Sequence, residues 1–237
     1  MADDAVQDGP GLDDSGIIAL VGGDEFKAPA AAFDRLLLSV SSRMPASVAV
    51  LPTAAAGENP QLAAEHGVNH FEGLGARSYS VMILDAADAN DERLVDELRG
   101  ADIVYLVGGN PAYLLDTLRD SAAWTCVVEL AQRGVIIAGS SAGAMVMGER
   151  MRYRGEDFDG LALAGGVMVL PHFERASADR VEQVRSSLPE GIIMLGIDGS
   201  TGCIRREGEW QVEGPGQVSV IGATGTQVYG AGARFTL

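Results

Sequence analysis

Ser141 carries the most chemistry in this chain. It sits in Gly139-Ser140-Ser141-Ala142-Gly143, a G-x-S-x-G pentapeptide. The apolar run Val135-Ile136-Ile137-Ala138 leads in, and Ala144-Met145-Val146-Met147 leads out. Strand, sharp turn and helix form the context in which this pattern is a nucleophile elbow, with the hydroxyl presented on a strained turn. Small neighbours permit the turn and let a substrate approach. A serine hydroxyl attacks poorly until a base takes its proton. His172 is the expected base, because Pro171-His172-Phe173 closes a second apolar run, Gly166 to Leu170. Strand ends on one sheet edge lie within reach of each other. Glu149, Glu156, Asp157 and Asp159 fall between the two residues as candidates for an orienting carboxylate. An oxyanion hole needs two donors. The Ala142 amide is one, and Gly109 or Asn110, at the end of Ile103 to Val107, supplies the other.

The elements that must position these groups follow from the pattern of apolar runs. Strands are expected at residues 17–21, 48–51, 79–84, 103–107, 135–138, 166–170 and 192–197, each a continuous apolar stretch. Helices are expected at residues 30–40, 60–74, 91–99, 113–118, 122–132 and 177–187. Such alternation predicts an α/β fold, a three-layer α/β/α sandwich on a mostly parallel central sheet. Residues 149–160 are polar and mixed in charge and read as a loop. Residues 203–237 hold short alternating runs with Gly turns, a small antiparallel C-terminal extension. Residues 1–15 are acidic and broken by Gly-Pro, a flexible tail. Residues 16–237 then form a single domain.

Other patterns exclude functions. The chain has 237 residues and a net charge of -16, which opposes binding to nucleic acid or anionic membranes. No apolar run is long enough to span a bilayer, and the N-terminus lacks the features of a signal peptide, so a cytoplasmic protein is expected. Gly22-Gly23 follows a strand, but Asp24 and Glu25 at that turn oppose a phosphate, and no G-x-G-x-x-G is present. His66 and His70 stand at i, i+4 without H-E-x-x-H and with no third histidine or cysteine near them in sequence, and read as ordinary helix residues. Cys126 and Cys203 have no metal-like spacing and read as reduced core residues.

Three segments together resemble peptidase family S51: Gly-Gly-Asn110-Pro with Leu114-Leu115, Gly-x-Ser141-Ala-Gly-Ala, and Pro-His172-Phe. The resemblance extends from Val-Gly-Gly-Asp-Glu near the start to Ile-Asp198-Gly-Ser-Thr201 near the end. It implies a class I glutamine amidotransferase-like fold in which serine replaces the cysteine nucleophile. It also implies a Ser-His-acid hydrolase with no metal or organic cofactor, acting on short peptides. The family contains dipeptidase E, which removes N-terminal aspartate, and cyanophycinase, which releases β-aspartyl-arginine. Glu156 stands about as far past the serine as the acid of dipeptidase E. Gly-Gly-Asn110-Pro111 stands where cyanophycinases have Gly-Gly-Asp-Gln, which favours the dipeptidase reading.

An aspartyl substrate needs a cation for its carboxylate, and Arg175 or Arg180 could clamp it. An α/β-hydrolase-type esterase shares the elbow, but His172 follows Ser141 too closely for the strands of that fold. A non-catalytic binding protein on the same scaffold is a third reading, opposed by the intact serine and histidine. The sequence leaves the oligomeric state, a homodimer included, open.

Overall fold

The computed structural model describes residues 16–223 and 225–237. The expected acidic tail, residues 1–15, lies outside them. The strands are β1 (Ile18–Val21), β2 (Ser47–Leu51), β3 (Arg77–Ser80), β4 (Ile103–Leu106), β5 (Ile136–Ser140), β6 (Gly148–Tyr153), β7 (Glu156–Asp159), β8 (Ala164–Pro171), β9 (Ile193–Ile197), β10 (Gly202–Arg206), β11 (Glu209–Glu213), β12 (Val218–Gly222), β13 (Gly225–Tyr229) and β14 (Arg234–Phe235). The helices are α1 (Ala31–Val40), α2 (Pro60–Gly73), α3 (Glu92–Leu98), α4 (Pro111–Leu118), α5 (Ala122–Gln132), α6 (Ala142–Met147) and α7 (Ala178–Ser186).

The class is α/β, with the strands divided between two mixed sheets. One has the order β14-β11-β10-β1-β5-β4-β2-β3, the other β13-β12-β9-β8-β6-β7. In the first, β1, β5, β4, β2 and β3 are mutually parallel, and β10, β11 and β14 extend it antiparallel. In the second, β6, β8 and β9 are parallel. The parallel strands β1 and β4 are buried along their whole length. That is why they read as continuous apolar runs. One face of the first sheet (Ala19, Val48, Tyr105, Ala138) packs on Phe33, Leu37 and Phe71 of α1 and α2. The other (Ile18, Leu51, Leu106, Ile137) joins a core that includes α4, α5, α6 and the inner face of the second sheet. The outer face of that second sheet, Met168, Leu170 and Met194, is covered by Val184 of α7.

Caps fix the helix starts. Asn59 accepts from the Leu62 amide at 3.1 Å ahead of Pro60, and Asn110 accepts from Ala112 at 3.1 Å ahead of Pro111. Ser121 and Ser177 cap α5 and α7 in the same way.

Two expectations change. Residues 149–160 are not a loop. They form the hairpin β6–β7, with Arg150 opposite Asp159 and Arg152 opposite Asp157. Charged pairs across the strands conceal the alternation that marks an edge hairpin, in which Met151 is the one buried side chain. The strand expected at 79–84 is paired only over Arg77–Ser80: the Val81 amide makes a last ladder bond to the Val50 carbonyl at 3.0 Å, and the Ile83 amide then turns back onto the Val81 carbonyl at 2.9 Å.

The two sheets meet at Gly22. A Cβ there would fall 2.2 Å from the Asp198 carbonyl oxygen and 2.3 Å from that of Ile197. Backbone cannot yield as a flexible side chain does. Gly22→Ala is therefore expected to lower unfolding stability by about 1–3 kcal/mol or more, measured by urea titration. An unchanged midpoint would contradict this packing.

Candidate active site

The elbow is present in the form the pentapeptide requires. β5 ends at Ser140, α6 begins at Ala142, and Ser141 between them has φ 48° and ψ -107°. Strain of this kind persists only where its surroundings hold it. Here the Ser141 amide donates to the Val21 carbonyl at 3.0 Å and its carbonyl accepts from Met145 at 2.9 Å. Both glycines of the motif are sites of close approach. A Cβ on Gly139 would lie 2.5 Å from the Gly143 carbonyl carbon, and one on Gly143 would lie 2.4 Å from the Leu106 oxygen.

His172 reaches the elbow through the Gly22-Gly23 turn. β1 is paired with β5, with Val21 opposite Ser140. Just past Val21, the Gly22 carbonyl accepts from the His172 amide at 2.8 Å. Gly23, at φ +111°, carries the imidazole: a Cβ there would sit 2.3 Å from His172 Cε1 and Nε2. His172 itself adopts the left-handed conformation, φ 51° and ψ 42°. Ser141 and His172 line one cavity of about 520 Å³. No hydrogen bond joins the two side chains, and such contacts commonly tighten only when substrate binds.

The oxyanion donors sort by what already holds them. The Asn110 backbone amide donates to the Ala54 carbonyl at 2.8 Å and is committed, while its side-chain Oδ1 accepts from the Ala112 and Tyr113 amides to cap α4. The Gly108 amide donates to Glu25 Oε1 at 2.9 Å. Among the described residues the Gly109 amide has no partner, and Gly109 lines the cavity. The Ala142 amide opens α6 and has no intrahelical acceptor.

Glu25 is the site residue that the sequence did not reveal. Its Oε2 accepts from the Ser140 hydroxyl at 2.8 Å while Oε1 holds Gly108. One carboxylate thus ties the elbow to the end of β4. The available signal was an acid just after a Gly-Gly turn on the strand beside the elbow strand. His66 also lines the cavity, whereas His70 pairs with Asp34 at 2.8 Å away from it. Burial, more than His70, sets the Asp34 carboxyl, which is raised above the ordinary range.

The expected carboxylates are spread along the β6–β7 hairpin. Glu156 is exposed opposite Tyr153 at the sheet edge and does not line the cavity; β6 separates its strand from β8. The structure does not bring it to His172. Glu149 accepts from the Gly166 amide at 2.7 Å, Asp157 lies 3.7 Å from Arg152, and Asp159 pairs with Arg150. Asp24 and Glu174, by contrast, each bring a carboxylate oxygen within 4.8 Å of a ring nitrogen of His172. His172 Nδ1 is buried and has no hydrogen-bond partner among the described residues. A divalent ion could bridge these three groups. Their charges are met otherwise: Asp24 holds Lys27 at 2.7 Å and Arg175 at 3.1 Å, and Glu174 holds Arg175 at 3.0 Å. The Lys27 hydrogen bond is the main reason the Asp24 carboxyl is held below the ordinary range. Of the two expected arginine clamps, Arg175 is in this network and Arg180 lines a different cavity.

A family model, Peptidase family S51, matches residues 17–209. The chain belongs to peptidase family S51. It is a serine-type peptidase, with its serine elbow at Ser141. A cyanophycinase from Nostoc sp. is 25% identical over 222 residues, covering 87% of this chain and 74% of the relative. An uncharacterized peptidase from Listeria innocua is 31% identical over 107 residues, 45% of this chain and 50% of that protein. Among solved structures, a peptidase from an acI-B1 Actinobacterium superposes with a TM-score of 0.84 at 28% identity, covering 94% of this chain and 97% of that one. A putative peptidase E protein from Listeria monocytogenes gives 0.64 at 19% identity, over 84% and 98%, and shares the fold. No described helix of this S51 chain is long and apolar enough to cross a membrane.

Ser141→Ala and His172→Ala are each expected to lower peptide turnover by at least about 10³-fold while leaving the thermal midpoint close to that of the native chain. Retained turnover in either folded variant would contradict the role given to that residue.

Proposed function

We propose that this S51 peptidase is an exopeptidase that takes short peptides by their free amino end. The observation that carries the reading is the charge of the catalytic cavity. Asp24, Glu25 and Glu58 line it, with Lys27 as the cation, itself paired to Asp24. Each Glu25 oxygen accepts one protein hydrogen bond and keeps further acceptor capacity for a substrate ammonium. An anion there without such a partner would only oppose an oxyanion forming at Ser141.

In this mechanism His172 takes the Ser141 proton as the Oγ attacks the peptide carbonyl. The carbonyl oxygen becomes an oxyanion between the Gly109 and Ala142 amides. His172 then passes the proton to the leaving amine, and water releases the acyl group by the same route. Asp24 supplies the carboxylate that steadies the imidazolium, since its oxygen stands within 4.8 Å of a ring nitrogen of His172 and Glu156 stands on the far hairpin. An N-terminal aspartyl side chain, the favoured substrate group, is met by Lys27, with Arg175 behind it on Asp24.

The same acidic lining supports a second reading. A β-aspartyl-arginine peptide would place its guanidinium against Glu25 and Glu58, and the cyanophycinase relatives are consistent with that substrate.

The readings separate on a panel of Asp-Leu, Ala-Leu, N-acetyl-Asp-Leu and β-Asp-Arg, with native chain and Glu25→Gln. The first predicts turnover of the free-amine dipeptides, at least about 10-fold loss on N-acetylation, and a Glu25→Gln effect carried mostly by KM. Dominant turnover of β-Asp-Arg selects the second. Equal turnover of acetylated and free dipeptides contradicts the amine-anchored account.

A further inference from the structure

A second cavity, of about 260 Å³, lies between the β6–β7 hairpin, β8 and α7 and shares no lining residue with the catalytic one. Its charge runs against that of the molecule. The chain has 33 acidic residues and 17 lysines and arginines, yet Arg152, Arg154 and Arg180 all line this one concavity. Arg152 is engaged, with Ser187 Oγ at 2.6 Å and Asp157 at 3.7 Å. Arg154 rests 5.2 Å from the centre of the Tyr153 ring. Among the described residues neither Arg154 nor Arg180 pairs with a carboxylate. Gln183 adds an amide at the rim, and the floor is apolar: Met168, Leu170 and Val184.

Three guanidiniums around one concavity repel each other. In a chain so rich in carboxylates, two of them face open space instead of an acid. Guanidinium forks match the planar or tetrahedral oxygens of carboxylate and phosphate, and they gain most where a wall excludes water. We infer that this cavity binds a small oxyanion, a phosphate or a carboxylate, gripped by Arg154 and Arg180 above the apolar floor. Asp157 neutralises Arg152, which leaves the other two arginines to carry the anion. The site is independent of peptide hydrolysis, because Ser141 and His172 line the other cavity.

The test is thermal unfolding of the native chain in chloride buffer at constant ionic strength, with inorganic phosphate or succinate added. Linkage predicts a rise of about 3–5 °C at ten times the Kd, growing further with the logarithm of ligand concentration. The rise should persist in Ser141→Ala and disappear in the Arg154→Gln/Arg180→Gln double variant. Both arginines are exposed, so the double variant should fold; each single variant, with the rise reduced, provides a second check. A rise with phosphate alone or succinate alone identifies the ligand's chemistry and supports the site. No rise in the native chain, or an equal rise in the double variant, overturns it.

Discussion

Everything in the catalytic region depends on two residues without side chains. The Gly22-Gly23 turn is pressed between the end of β9 and the imidazole of His172, with room for hydrogens only. β1 belongs to the first sheet, β8 and β9 to the second. The turn is where the two sheets touch, and it sets the distance between Ser141 and His172, the proposed nucleophile and base. The Ser141 amide is bonded to Val21 and the His172 amide to Gly22. Two adjacent carbonyls therefore hold Ser141 and His172. Neither sheet alone could do so, because each carries one member of the pair.

The second constraint is electrostatic. Glu25 fastens Ser140 to Gly108, which stiffens the elbow against the end of β4. The bond to Gly108 engages that amide, and the proposed oxyanion donors are the amides of Gly109 and Ala142. A carboxylate so close to a developing oxyanion works against catalysis in isolation. It becomes useful when the substrate arrives with its own positive charge. The hydrogen bonds that organise the site and the proposed preference for a free amino end thus rest on one placement of Glu25.

Much of this was legible in the sequence for a physical reason. Parallel strands buried on both faces must be continuous apolar runs, so β1, β4, β5 and β9 were evident, and with them the strand ends that carry Ser141 and His172. Strand β8 was visible for the same reason, and Pro171 stops it. The hairpin β6–β7 was hidden because two of its four cross-strand pairs are charged and its one buried side chain is Met151. That concealment is also what made Glu156 look free to reach the histidine: read as a loop, it could go anywhere, whereas as an edge strand it is fixed opposite Tyr153. Glu25 was hidden for a different reason. Contacts between residues 25, 108 and 140 exist only after three strand ends are brought together, and no local pattern encodes them.

The most direct measurement is a crystal structure of the native chain after reaction with a fluorophosphonate. The account predicts phosphorus bonded to Ser141 Oγ, its free oxygen directed at the Gly109 and Ala142 amides, and the His172 imidazole within hydrogen-bond reach of the Ser141 oxygen. Phosphorus on another residue, or an imidazole turned away from Ser141 with the phosphonyl oxygen bonded elsewhere, would contradict it.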